Sequence, residues 1–88
     1  MSVKEGSDVK IYDYQGKKNI SGERIREARL KHRLTQADLA AQLQIAGINI
    51  ERDSISRIEI GTRFVADFEL MVIAKVLNVS VDWLLYED

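Results

Sequence analysis

The ten residues from Arg52 to Gly61, RDSISRIEIG, combine hydrogen-bonding side chains with two isoleucines that are three residues apart. Arginine offers a planar fork of N–H donors, whereas aspartate and serine offer oxygen acceptors, so the stretch holds the groups needed for polar recognition. Ile55 and Ile58 have the spacing of one face of a helix. Gly61 stands where a left-handed C-cap is favoured. The pattern predicts a short helix with an apolar inner face and a hydrogen-bonding outer face.

Residue types that would support catalysis or metal binding are sparse. The 88-residue chain has no cysteine, and its one histidine, His32, has no partner residues at a recognisable catalytic spacing. No glycine-rich phosphate loop or metal-ligand cluster stands in the sequence. A chain of this size buries one modest core and leaves little room for a substrate cavity. We therefore expect neither an enzyme nor a bound cofactor or metal.

The charge of the chain is unevenly distributed. The formal net charge of −1 argues mildly against a nucleic-acid partner, since domains that bind nucleic acid are often basic overall. However, residues 21–33 carry five basic and two acidic side chains, a local +3, and residues 64–88 carry one basic and five acidic side chains, a local −4. This uneven distribution is either ordinary solvated charge, or it indicates that the basic residues 21–33 face an anionic partner.

The length allows a single domain. Residues 1–20 have two glycines, mixed charge and no helical periodicity, and they predict a flexible N-terminal arm in front of a domain at residues 21–88. The alternative to plain disorder is an arm that follows the minor groove of DNA with Lys17 and Lys18. No apolar run approaches the roughly 20 residues of a membrane span. The first residues also lack the apolar core of a signal peptide. A cytoplasmic location is the expectation.

Apolar residues recur at helical spacing in five segments after Ser21. Thr35 and Asp38 have the spacing of a capping box at the start of the second segment. The expected fold class is a compact all-α domain of five helices. The predicted boundaries are a first helix capped by Ser21 and ending near Arg33, a third opened by Asp53 or Ser54, a fourth capped by Asp67 and ended by Asn78, and a fifth capped by Ser80.

Two short helices in succession, of which the second is polar on its outer face, are typical of the helix-turn-helix arrangement. The first of the two lies across the DNA backbone, and the second enters the major groove, which is wide enough for one helix. Ile55 and Ile58 would anchor the second helix from inside. A helix too short to build a core is long enough to span a few base pairs, so residues 53–60 are predicted to enter a major groove.

Three segments then resemble the phage-repressor type of helix-turn-helix domain, the Cro/CI or Xre-like family. They are ERIREARLKHRLTQADLAAQL, ISRIEIGTR and ELMVIAKVLNVSVDWLL, which lie in this order within residues 20–86. The resemblance implies a five-helix, lambda-repressor-like DNA-binding domain that is usually dimeric and that represses or regulates transcription.

The resemblance also implies which residues contact DNA. Gln36 matches the glutamine that opens the family's second helix and contacts a phosphate or a base edge, and Arg63 matches a phosphate-binding loop. Arg57 can donate two hydrogen bonds to one guanine. For Asp53, helix N-capping is favoured over accepting from a cytosine amino group, because phosphates repel a carboxylate. The predicted DNA-binding residues are Gln36, Arg52, Asp53, Ser54, Ser56, Arg57 and Arg63.

Arg29 and Glu59 match family positions that form an ion pair between the first and third helices. A partly buried pair of this kind is geometrically specific without being necessarily stabilising. Its role would be to fix the angle of the recognition helix. The alternative is two unrelated surface charges.

The sequence departs from the family pattern at two places. The connection QIAGINIERD is several residues longer than the family's turn, so either the second helix extends or the loop bulges toward DNA or a partner. Ile60 stands where the family has a polar residue, so a side-chain contact to phosphate is lost there, although the backbone amide can still reach one.

The C-terminal segment VSVDWLLY is strongly apolar for the surface of a small monomer, which predicts self-association, with Trp83 in the core or in the dimer contact. A homodimer would read a pseudo-palindromic duplex with half-sites about 10 bp apart or a multiple of this. The alternative function is a protein-interaction module, such as an antitoxin or an adaptor. That alternative is motivated by the long connection, by the acidic residues 64–88 and by the apolar C-terminal segment.

Overall fold

The computed structural model describes residues 14–86, and this part of the chain forms five α-helices. This confirms the expected all-α, five-helix fold class. The helices, numbered in chain order, are α1 (Gly22–Lys31), α2 (Gln36–Ile45), α3 (Arg52–Ile60), α4 (Asp67–Leu77) and α5 (Val81–Leu85). No helix in the described part is long and apolar enough to cross a membrane.

Every helix contributes apolar side chains to one shared core. In α1, α2 and α3 the deepest side chains lie on the faces that the helical spacing predicts, because residues three and four apart share one side of a helix. In α4, Phe68 and Met71 have the same spacing relative to Ala74 and Leu77 but are 58% and 48% exposed. Ile55 and Ile58 of α3 are both fully buried, as expected. The buried apolar residues of the described part are Ile25, Ala28, Leu39, Ala40, Leu43, Ile50, Ile55, Ile58, Leu70, Ile73, Ala74, Leu77 and Leu84.

The turn between α1 and α2 is short and sharply defined. The backbone of Arg33 has a positive φ of 59°, which ends the helical path, so α1 stops at Lys31 slightly before the predicted end. The hydroxyl of Thr35 accepts a hydrogen bond from the Asp38 amide at 3.0 Å, and the Asp38 carboxylate accepts one from the Thr35 amide at 2.9 Å. The predicted capping box is confirmed and fixes the start of α2.

The long connection between α2 and α3 follows the core. Gly47 takes a left-handed φ of 98°, and the Ile48 amide then donates to the Leu43 carbonyl at 2.8 Å. Ile50 is only 2% exposed, and the Gln44 side chain donates to its carbonyl at 2.7 Å. Ile50 is thus the residue of the connection that packs into the core, whereas Ala46, Gly47 and Asn49 are exposed. The helix α2 ends at Ile45 and is not extended, and contact of the loop with DNA or a partner stays a prediction.

The start of α3 lies earlier than predicted. Glu51 occupies the N-cap position, and its carbonyl accepts from the Ser54 and Ile55 amides at 2.9 and 3.1 Å. The predicted start at Asp53 or Ser54 was wrong because buried Ile50 fixes the preceding backbone, which lets the first turn form at once. The predicted end is confirmed, since Gly61 has a left-handed φ of 97°.

The two C-terminal helices begin and end with local hydrogen bonds. Ala66, and not Asp67, is the N-cap of α4, and the Glu69 carboxylate accepts from its amide at 3.0 Å. Asn78 ends α4 in the left-handed region, and the Ser80 hydroxyl accepts from the Trp83 amide at 2.9 Å. The caps predicted at Asn78 and Ser80 are confirmed.

Residues 14–20 lie against the helices. The Asn19 side chain donates to the Ile58 carbonyl at 3.0 Å and to the Arg63 carbonyl at 2.8 Å. Its oxygen accepts from the Ser21 and Gly22 amides, so Asn19 caps α1, whereas the hydroxyl of Ser21 makes no capping bond. Within the arm expected at residues 1–20, Asn19 is thus fixed by hydrogen bonds to α3 and to the connection that follows it. The first thirteen residues of the arm lie outside the described part.

Candidate nucleic-acid interface

Helix α3 has an inner and an outer face of opposite character. Ile55, Ile58 and Glu59 are buried, whereas Ser54 and Ser56 are half-buried. On the outer side, Arg52, Asp53, Arg57 and Ile60 are exposed. Positions 53, 57 and 60 follow one another by four and three residues, so they form one stripe along the helix. The helix is held by its apolar side and presents a mostly polar stripe to its surroundings.

The charged side chains on the outer side of α3 differ in whether they have an ion-pair partner. Arg52 lies 3.7 Å from the carboxylate of neighbouring Asp53, with both side chains more than half exposed. Such an exposed, loose pair is weak. Asp53 stands in the first turn and not at the N-cap, so the predicted capping role was wrong. Within residues 14–86, Arg57 pairs with no acidic side chain, so its guanidinium keeps its full set of donors.

The inner side of α3 is joined to α1 by Arg29 and Glu59. Arg29 Nε donates to Glu59 Oε2 at 2.7 Å, and Arg29 Nη2 donates to Glu59 Oε1 at 3.0 Å. Arg29 Nη1 also donates to the carbonyl of Leu34 at 2.8 Å. The hydrogen bond to Glu59 raises the pKa of the Arg29 guanidinium further above its ordinary value, against the opposing effect of burial. The guanidinium thus stays charged and connects α1, the first turn and α3.

Gln36 extends this network to the start of α2. Its Nε2 donates to Glu59 Oε1 at 3.1 Å, and the residue is half-buried. A glutamine amide has a second N–H and an acceptor oxygen besides the bonded N–H. The structure therefore brings together three of the residues singled out in the sequence, Arg29, Gln36 and Glu59, and fixes the relative placement of α1, α2 and α3.

Arg63, which is predicted to bind phosphate, forms an ion pair with Glu69. Its Nη1 and Nη2 donate to the two carboxylate oxygens of Glu69 at 3.1 and 3.2 Å, and Nη1 also donates to the Phe64 carbonyl. Burial by itself would raise the pKa of Glu69, but the hydrogen bonds from Arg63 and from the Ala66 amide outweigh it and hold the pKa below its ordinary value. A phosphate contact by Arg63 would have to compete with this carboxylate.

His32 and Trp83 have structural contacts. Nε2 of His32 donates to the carbonyl of Leu77 at 2.7 Å, which links the end of α1 to the end of α4. The Arg24 guanidinium stacks 4.6 Å from the centre of the Trp83 ring and donates to the Trp83 carbonyl at 2.7 Å. No group of three His, Asp or Glu side chains in the described part is arranged to hold a metal ion.

Sequence reasoning missed the role of Asn19. Its two contacts to the backbone around the end of α3 place Lys17 and Lys18 beside Gly61, and the Lys18 amide donates to the Gly61 carbonyl at 2.8 Å. Asparagine shortly before a helix is a recognised capping residue, so the cap was visible in the sequence. The bonds to Ile58 and Arg63 were not, because they join residues about forty positions apart.

The geometry is that of a known class of domains. A helix-turn-helix family model, HTH_3, matches residues 25–84. Among solved structures, the chain is similar to the P22 c2 repressor, which was crystallised in complex with a synthetic operator in the presence of Tl⁺. The TM-score is 0.67 at 30% sequence identity, over 80% of this chain and 98% of the repressor chain. Comparison with curated proteins gives no match.

Proposed function

Because this chain belongs to the HTH_3 helix-turn-helix family of Xre/Cro/CI type, whose members are DNA-binding regulators and not enzymes, we propose that it is a sequence-specific transcriptional repressor. It binds double-stranded DNA and reads the major groove with α3. The operator complex of the similar P22 c2 repressor supports a duplex as the partner. Because the proposed partner is DNA, we also propose the cytoplasmic location that the sequence predicts.

The outer stripe of α3 is the observation that carries this function. Arg57 is exposed and unpaired among the described residues, and the helix behind it is fixed by two buried isoleucines. An α-helix with its side chains is about 10–12 Å across, which fits the width of about 12 Å of the major groove, and the nine residues of α3 are enough to span a few base pairs. The stripe therefore has both the size and the donors that base-edge recognition needs.

The proposed contacts divide into base reading and positioning. Arg57 donates to a guanine, and Ser54, Ser56 and the Arg52–Asp53 pair contact neighbouring base edges or phosphates. Gln36 stands at the start of α2, where free backbone amides favour an anion, so its second side-chain N–H and those amides bind one phosphate. Occupancy of the operator then excludes RNA polymerase, which gives repression.

We further propose that the protein acts as a homodimer on a pseudo-palindromic operator. Trp83 and Leu85 are only half-buried and Tyr86 is 64% exposed, so the C-terminal segment offers apolar surface for a second copy. Two-fold symmetry then places the half-sites about 10 bp apart or a multiple of this. Analytical ultracentrifugation with and without operator DNA tests this assembly.

A protein-interaction module is the second candidate function. It is favoured by the exposed apolar side chains of α4, since Phe68 is 58% and Met71 is 48% exposed. Such side chains are more typical of a protein contact than of a DNA contact. An antitoxin or adaptor role would use this face and not the outer stripe of α3.

Selection of bound sequences from a random duplex pool, followed by a salt titration, distinguishes the two functions. The proposed repressor enriches a two-fold symmetric sequence, and its log affinity falls with log salt by about 0.9 per phosphate contacted. Recovery of no common sequence together with a slope near zero would reject the DNA-reading function and favour the interaction module.

A further inference from the structure

The segment in front of α1 holds a lysine beside the end of the recognition helix. The amide of Lys18 donates to the carbonyl of Gly61, the residue that ends α3, at 2.8 Å. Asn19, the next residue, is fixed by hydrogen bonds to the carbonyls of Ile58 and Arg63. The backbone on both sides of the Lys18 side chain is thus attached to α3 and to the connection that follows it.

The Lys18 side chain is exposed and has no carboxylate partner within residues 14–86. Its Nζ lies 5.3 Å from the centre of the Phe64 ring. A cation over a ring face is attracted by the ring quadrupole, and an ammonium has three N–H donors, so this contact leaves donors for a second ligand. Phe64 therefore orients the ammonium without neutralising it.

Two neighbouring cations have carboxylate partners, of which the pair of Lys17 is exposed and therefore weak. Arg63 makes a two-point pair with Glu69 at 3.1 and 3.2 Å, and Lys17 lies 3.2 Å from Glu23. The side chain of Arg63 is only 28% exposed, which further limits its reach. The resemblance implies that Arg63 binds phosphate, but in the structure Glu69 neutralises its charge. Lys18, nearby, has no carboxylate partner among the described residues.

We propose that Lys18 is a phosphate-binding residue of the DNA interface and takes the part that the resemblance assigns to Arg63. The inference rests on the proposed entry of α3 into the major groove. An α-helix with its side chains is about as wide as the major groove, so a helix inserted there runs between the phosphates on both sides, and residues attached to its end lie beside them. Lys18 is attached to that end, and a phosphate oxygen is the anion its ammonium would meet there.

This placement gives residues 14–19 a function in DNA binding. A lysine on a free arm loses much conformational freedom when it binds, whereas the backbone of Lys18 is already fixed by hydrogen bonds. The contact is independent of sequence, since phosphate carries no base identity. It would therefore add affinity and salt dependence without changing the operator.

The test is a salt titration of the full chain, of Lys18→Ala and of Lys18→Arg on a random-sequence duplex. Removal of one phosphate contact lowers the magnitude of the log–log slope by about 0.9. Lys18→Ala should show this loss, and Lys18→Arg should restore the slope. Lys75→Ala is the matched control, because Lys75 is an exposed lysine in the last turn of α4 and should leave the slope unchanged.

The outcomes separate this inference from the proposed function. A native slope that Lys18→Ala leaves unchanged overturns the role of Lys18 and leaves the DNA-binding function standing. Failure of the native chain to bind any duplex rejects both. Equal thermal unfolding of the native chain and Lys18→Ala, together with the reduced slope, would assign the loss to the phosphate contact and not to misfolding.

Discussion

Arg29 of α1 and Glu59 of α3 form a two-point ion pair in the interior, with N–O distances of 2.7 and 3.0 Å and side chains that are 7% and 3% exposed. The pair lies directly behind the outer stripe of α3, and Gln36 of α2 donates to the same carboxylate. Side chains of α1 and α2 thus meet at Glu59 of α3, so we expect this carboxylate to fix the angle of α3.

Glu59→Ala should therefore lower both stability and DNA affinity. Loss of the carboxylate leaves the Arg29 guanidinium buried without its partner, which typically costs about 3–5 kcal/mol of unfolding free energy. Urea unfolding and operator titration measure the two effects. The double variant Arg29→Met, Glu59→Leu is the control, since it removes both charges and should recover much of the stability. If it also recovers full DNA affinity, the pair does not set the angle of α3.

Gly22→Ala should destabilise the fold although alanine is the better helix former. A Cβ at this position would overlap the Ile58 carbonyl oxygen, which belongs to the backbone of α3 and cannot move aside. Overpacking of this kind costs about 1–3 kcal/mol, which exceeds the gain of about 1 kcal/mol from helix propensity. Thermal unfolding checks the sign.

Gly47→Ala is a control for the Gly22 variant. A Cβ at Gly47 meets nothing within 4 Å, but the φ of 98° is strained for alanine, so its cost is conformational. Only Gly22→Ala should weaken DNA binding in the folded protein, because it separates α1 from α3. An unfolding temperature of Gly22→Ala at or above that of the native chain would mean that the two helices pack less closely than described.

The helices themselves were predictable from sequence because their determinants are local. The capping box of Thr35 and Asp38, the left-handed Gly61 and the caps at Asn78 and Ser80 each depend on residues within a few positions of one another. The three-residue spacing of Ile55 and Ile58 likewise predicted that they form the inner face of α3.

Features that depend on distant contacts were not predictable in this way. The sequence predicts that Ile50 lies in a loop, and only the packing of α2 against α3 shows that it is buried. From the sequence, Arg63 is predicted to be an unpaired cation, because nothing in its local pattern indicates an ion pair with Glu69 in the first turn of α4. The anchoring of Asn19 to the end of α3 is likewise a tertiary contact.

Ile50→Ala tests whether the long connection is structural. Ile50 is 2% exposed and belongs to the core, so its truncation should cost about 2–5 kcal/mol of unfolding free energy. Ile45→Ala, at an isoleucine that is 87% exposed at the end of α2, is the matched control and should change stability little. Equal effects in chemical denaturation would show that the connection does not pack into the core.

Acid should remove the stabilisation that Glu69 gives to the start of α4. The pKa of Glu69 is lowered in the folded state, so its contribution is present above the ordinary value of 4.5 and disappears as the pH falls through the folded-state pKa. Glu69→Gln cannot titrate at this position. The native chain should therefore be the more stable of the two at neutral pH, and the difference should shrink in acid. A difference that stays constant from neutral to acid pH contradicts this assignment.

Arg57→Ala should alter which sequences are bound as well as how tightly. Arg57 is the unpaired arginine of the outer stripe of α3, and loss of a two-point guanine contact costs about 1–3 kcal/mol at the cognate site while relaxing one base position. Arg26→Ala removes the same charge at an exposed arginine of α1 that lies outside the outer stripe, and it is the comparison because it should leave the base preference unchanged. Repeating the duplex selection with each variant measures both effects. If Arg57→Ala weakens every sequence equally, the residue contacts the backbone, and base choice must come from Ser54, Ser56 or the Arg52–Asp53 pair.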